Sequence, residues 1–96
     1  MNFAQVVSDR QVIRFTYDGL PRVVQPATFG VTTTGKQALR GCLIAGRSKP
    51  NYIPCWELYL TDKMVGVEVT GESFAAFRVA GYRMGDSDSM VIIAEH

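Results

Sequence analysis

The sequence predicts a mostly β fold: a small antiparallel barrel preceded by a short N-terminal helix. Three observations carry this. From Gln11 onward apolar side chains recur with a period of two, the spacing of a strand with one covered face. Turn signals punctuate the chain at short intervals, leaving about six short strands. With 96 residues there is material for one domain and one core.

Taken in order, residues 2–9 fit two helical turns, with Phe3, Val6 and Val7 on one stripe. Next, Ile13, Phe15 and Tyr17 alternate with Val12, Arg14 and Thr16. Asp18-Gly19 is a hairpin turn, and the chain returns over Leu20–Gln25. Pro26, lacking an N–H, is expected to stop regular pairing. Residues 28–33 are β-rich, and Thr34-Gly35 turns the chain into a strand over Lys36–Ala45. A loop, GRSKPNYIP, covers 46–54. A strand at Cys55–Leu60 follows, with a tight connection at 61–63. Val65, Val67 and Val69 alternate with Gly66, Glu68 and Thr70, as in a half-buried antiparallel strand. A helical turn is expected over Glu72–Phe77, then a polar stretch over 81–89 and a final apolar strand near 90–95.

Charge is divided by position. Between residues 10 and 49 there are seven basic side chains and one acid, Asp18, a balance of +6. Residues 50–96 carry three basic groups against seven acids, a balance of −4, although the whole chain is only +1. A cationic first half points to a surface that prefers anions. No apolar run approaches the roughly 20 residues of a membrane span. The N-terminal stretch lacks the basic and apolar regions of a secretory signal. Cys42 and Cys55 form no CxxC pair and read as reduced thiols in a cytoplasmic protein.

Catalytic chemistry finds little support. The segment from Gly30 to Lys36 imitates a phosphate-binding loop, but Gln37 offers no hydroxyl for magnesium and a strand follows where a helix is required. The single histidine, His96, is the last residue, so no metal cluster and no activated nucleophile can be assembled around it. The acids Glu57, Asp62, Glu68 and Glu72 occupy positions that read as solvated. The expectation is no enzymatic activity, no metal and no cofactor.

Basic residues offer more. Arg14 on the first strand, Arg22 on its partner and Arg40 after the Gly35 turn would share one surface if their strands are neighbours. Arginine grips phosphate through a planar fork. Arg47 and Lys49, with Tyr52 nearby, form a loop suited to holding a backbone and stacking a base.

The ordered series Ile13-Arg-Phe-Thr-Tyr17, Arg22-Val-Val-Gln-Pro26, Gly35-Lys36 leading to Leu39, Trp56-Glu-Leu-Tyr59, Asp62-Lys63-Met64 and Phe74 resembles the WYL domain of bacterial regulators and phage-defence proteins. The resemblance covers roughly residues 5–77. It implies an SH3/Sm-like barrel that senses a ligand, often a nucleic acid or nucleotide. Residue by residue, Arg22, Tyr17 and Lys63 match positions on the ligand face of that family. Two departures stand out. The Trp-Tyr-Leu that names the family falls at about Gln37-Ala38-Leu39, leaving only the leucine, and Glu57 and Leu60 stand where basic residues usually flank the aromatic at Tyr59.

The expectation is thus a single WYL-like domain over 1–96, with a barrel core near 10–77. It is a non-catalytic module binding single-stranded nucleic acid or a nucleotide. The ligand residues are Arg14, Tyr17, Arg22, Arg40, Arg47, Lys49, Tyr52 and Lys63. The alternatives are a protein-interaction module that dimerises through the strand at 90–95, and a small nucleotide-sequestering protein of a mobile element.

Overall fold

The computed structural model describes residues 2–46, 55–77 and 90–95. Helix α1 spans Phe3–Ser8, and Asn2 caps it by accepting a hydrogen bond from the Gln5 N–H at 3.1 Å. Six strands follow: β1 (Gln11–Tyr17), β2 (Leu20–Thr32), β3 (Gln37–Gly46), β4 (Cys55–Leu60), β5 (Val65–Ser73) and β6 (Met90–Glu95). A 3-10 turn at Thr61–Lys63 joins β4 to β5. The strands form one antiparallel sheet in the order β4-β3-β2-β1-β5, and β6 pairs with β2. The mostly β prediction therefore holds, with one short helix. Among the described residues no helix is long and apolar enough to cross a membrane.

The first hairpin turns at Asp18 and Gly19, both at positive φ (52° and 76°), as a two-residue turn between right-twisted strands requires. Strand β2 is the backbone of the fold. Its residues 22–31 pair with β3 along one edge. Along the other edge Leu20–Val24 pair with β1, and Thr28–Thr32 pair with β6. Pro26 falls in the gap between these two partners and beside a register shift against β3. A residue without an N–H costs no ladder bond there, so the strand runs on through Pro26 instead of stopping. This corrects the expectation of a break. The C-terminal strand pairs within the chain.

The core lies on one face of the sheet. It joins Val6 and Val7 of α1 to Ile13, Phe15, Val24, Phe29, Leu39, Leu43, Tyr59 and Met64. Phe3 adds its ring against Phe29, at 5.6 Å between centroids. A second, smaller cover lies on the opposite face. The chain after β5 does not form the expected helical turn. It bends over the sheet, where the Phe74 N–H bonds the Arg10 carbonyl and Phe77 meets Trp56 at 4.9 Å. Val12 and Cys42, on strand faces opposite the main core, are also buried.

Strand β5 is far more exposed than its alternation suggests: Val65 is 66% and Val69 44% accessible. It ends the sheet path and pairs only with β1, so among the described residues the sheet covers it from one side. A period of two signals a strand; it does not say that a second layer lies over it.

Candidate ligand groove

Arg22 begins from strand geometry. Directly opposed residues of an antiparallel pair share a face, and Arg22 opposes Phe15 while Arg14 opposes Val23. The two arginines therefore leave the hairpin on opposite faces. Arg22 enters the core side and is 5% exposed. Its Nη1 donates to Glu57 Oε2 at 2.8 Å, and the Glu57 side chain is only 15% exposed. This corrects the expectation of a solvated Glu57: it is the mostly buried counter-charge of Arg22.

Aromatic rings enclose this pair. Tyr59 packs edge-on against Phe15 and Tyr17, each at 5.0 Å between centroids. The Arg22 guanidinium lies 5.7 Å from the centre of the Tyr17 ring and 5.8 Å from that of Tyr59. The Tyr59 hydroxyl donates to Glu57 Oε2 at 2.7 Å, while the Tyr17 hydroxyl accepts the Leu60 N–H at 3.1 Å. Arg22 Nε has no hydrogen-bond acceptor among the described residues. Thus Glu57 and Tyr59, two apart on β4 and hence on one face, bring a carboxylate and a phenol to Arg22.

Burial pushes the Tyr59 phenol well above its ordinary value of 10.0, and the hydrogen bond to Glu57 and that carboxylate's charge push the same way. The Arg22 charge opposes them without prevailing. Above about pH 10 the unfolded chain releases this proton while the folded one keeps it, so stability falls as pH rises. One proton contributes a slope of about 1.4 kcal/mol per pH unit. Tyr59→Phe should flatten the alkaline limb of a urea-unfolding series by that amount. Identical slopes in the two proteins would mean that Tyr59 ionises freely.

Beside this cluster β1 and β5 part. Arg14 opposes Glu68 and Thr16 opposes Val65, so two residues of β5, Gly66 and Val67, face the single Phe15. Gly66 adopts φ 64° at this bulge. The separation opens a groove of about 330 Å³, lined by Arg14, Phe15, Thr16, Pro21, Arg22, Val23, Val65 and Gly66. That is the small end of the ~300–1,000 Å³ typical of ligand pockets. Arg14 borders it from the solvent side and reaches Glu68 at 2.7 Å, with both side chains about 60% exposed.

The expected ligand residues are therefore divided. Arg14 and Arg22 meet at the groove from opposite faces of the hairpin, and Tyr17 supports Arg22 from behind. Arg40 is half-buried and pairs across to Thr28 and Leu58, on the face opposite Leu39 and Tyr59. It does not line the groove, so the three arginines do not share one surface. Lys63 is exposed in the turn two residues before Val65. Arg47, Lys49 and Tyr52 lie outside the described residues. The groove also uses Val65 and Gly66, which sequence reasoning missed. A glycine inside an alternating strand was the available signal, since it marks a bulge. Among the described residues no group of three or more His, Cys, Asp or Glu side chains is placed to hold a metal ion. No family model, curated protein or solved structure matches the chain.

Proposed function

We propose that this chain is a cytoplasmic, WYL-like regulatory module without catalytic activity, which binds a nucleotide or a short stretch of single-stranded nucleic acid in the groove between Arg14 and Arg22. One observation carries the reading: an apolar-walled groove of nucleotide-scale volume bounded by two arginines. Apolar walls suit a base, and guanidinium groups suit a phosphate. The antiparallel fold accords with the architecture that the WYL resemblance implies.

A second reading, a homodimer through the C-terminal strand, draws on a separate observation. Val91 and Ile93 of β6 are 73% and 53% exposed. One experiment separates the two. Short single-stranded DNA and RNA, duplex and mononucleotides are titrated at two salt concentrations, with molar mass followed by light scattering. The expected result is a monomer that binds single strands or mononucleotides, weakened about tenfold by Arg14→Ala through the loss of a charge-assisted hydrogen bond. A dimer that binds none of these ligands would replace the first reading with the second.

A further inference from the structure

The groove has two arginines but no net charge. Arg14 is matched by Glu68 at 2.7 Å and Arg22 by Glu57 at 2.8 Å. The nearest flanking charges in the chain, Asp18 before Pro21 and Lys63 before Val65, also cancel. A surface with the same cations but no acids would draw ligands in proportion to their negative charge. Here each added negative charge on a ligand meets a carboxylate already seated beside the arginine that would receive it.

The two acids hold their places differently. Glu57 is fixed by the Arg22 and Tyr59 contacts in a mostly buried position, and moving it away would leave Arg22 without its counter-charge. Glu68 is exposed and, among the described residues, bound only to Arg14, so it exchanges with solvent readily. An incoming acceptor can therefore take over Arg14 from Glu68 beside Arg22, but it cannot discharge Glu57. That leaves room for one negative charge.

We infer that Glu57 and Glu68 make the groove selective for a singly charged phosphodiester carrying a base, and set it against polyphosphates. This rests on the proposed nucleotide-binding function and specifies its ligand. A phosphodiester offers two acceptor oxygens on one charge, which matches one guanidinium set free at the groove mouth and the Arg22 side chain lining its wall. A triphosphate would bring several charges to the same place with no further cation to meet them.

Adenosine ligands that differ only in phosphate charge test this: 3′,5′-cyclic AMP, AMP and ATP, titrated calorimetrically at low salt against the wild type, Glu68→Gln and Glu57→Gln. The expected order in the wild type is cyclic AMP tightest and ATP weakest. Glu68→Gln, at an exposed position that leaves the core untouched, should shift the ATP to cyclic AMP affinity ratio about tenfold toward ATP. Glu57→Gln should shift it the same way, with its folding checked by circular dichroism. A wild type that prefers ATP, or a ratio unmoved by Glu68→Gln, overturns the selectivity while leaving nucleotide binding in place. Failure of all three ligands to bind overturns both the selectivity and the binding function beneath it.

Discussion

Arg22→Ala should destabilise the domain by about 3–5 kcal/mol, the cost of leaving a mostly buried carboxylate without its cation. Glu57 would lose its guanidinium bond while keeping that to the Tyr59 hydroxyl, and the Tyr17 and Tyr59 rings would lose the cation beside them. Against a typical total of about 5–15 kcal/mol, a loss of this size is a large fraction of the stability and brings a domain at the low end of that range close to its midpoint. The control is the double variant Arg22→Met with Glu57→Leu, which removes both charges and keeps apolar volume. It should recover most of the loss, because the penalty belongs to the stranded charge more than to the missing attraction. Urea unfolding of the wild type, Arg22→Met, Glu57→Leu and the pair measures this as a double-mutant cycle. If Arg22→Ala costs less than about 1 kcal/mol, the pair is solvated like a surface ion pair and the cluster is not a stabilising centre. The same result governs how binding data are read: loss of ligand affinity in Arg22→Ala is informative only at temperatures where that variant is still folded.

Gly30→Ala should detach β6 from the sheet. Gly30 lies opposite Ile92, and a methyl group built at its Cα collides with the Val91 carbonyl oxygen. The next atoms met are the Val91 carbonyl carbon at 3.1 Å and Ile92 Cα at 3.2 Å. All are backbone, so no rotamer change relieves the contact; one strand must move. Such overpacking costs typically 1–3 kcal/mol, and more where the neighbours are rigid. Amide exchange is the direct measurement. Amides in β6 and in its partner segment Thr28–Thr32 should lose protection, while the β1–β2 hairpin pairing retains it. Because β6 carries Val91, Ile92 and Ile93, its release should also promote self-association at higher protein concentration. A variant with wild-type protection in β6 would mean that the strand already stands away from Gly30.

The elements were legible where local chemistry is strong. The helix stripe at Phe3, Val6 and Val7, the Asp18-Gly19 turn and the alternation through Ile13, Phe15 and Tyr17 each rest on neighbours in sequence, and each lies where expected. Errors arose where a residue's effect depends on what lies beside it. Pro26 breaks a strand only where the ladder needs an N–H at that position, and here it falls between two successive partners of β2. The helical turn expected over 72–77 does not form: Glu72 and Ser73 continue β5, the Phe74 N–H bonds the Arg10 carbonyl and Phe77 meets Trp56.

The candidate site shows the same division. Sequence placed Arg14, Tyr17 and Arg22 on the first hairpin and identified the cationic bias of that half of the chain. It could not place Glu57, 35 residues from Arg22, at 2.8 Å from its guanidinium. Nor could it show that Glu68, 54 residues from Arg14, closes the second pair. Strand alternation, turn residues and composition act over a few residues, so the sequence by itself determined a mostly β chain with one short helix and a basic first half. Which charge meets which is decided by register between distant strands. Only the tertiary structure turned a +6 half and a −4 half into a groove whose arginines are each held by an acid, because a charge is neutralised by its neighbour in space and not by its neighbour in the chain.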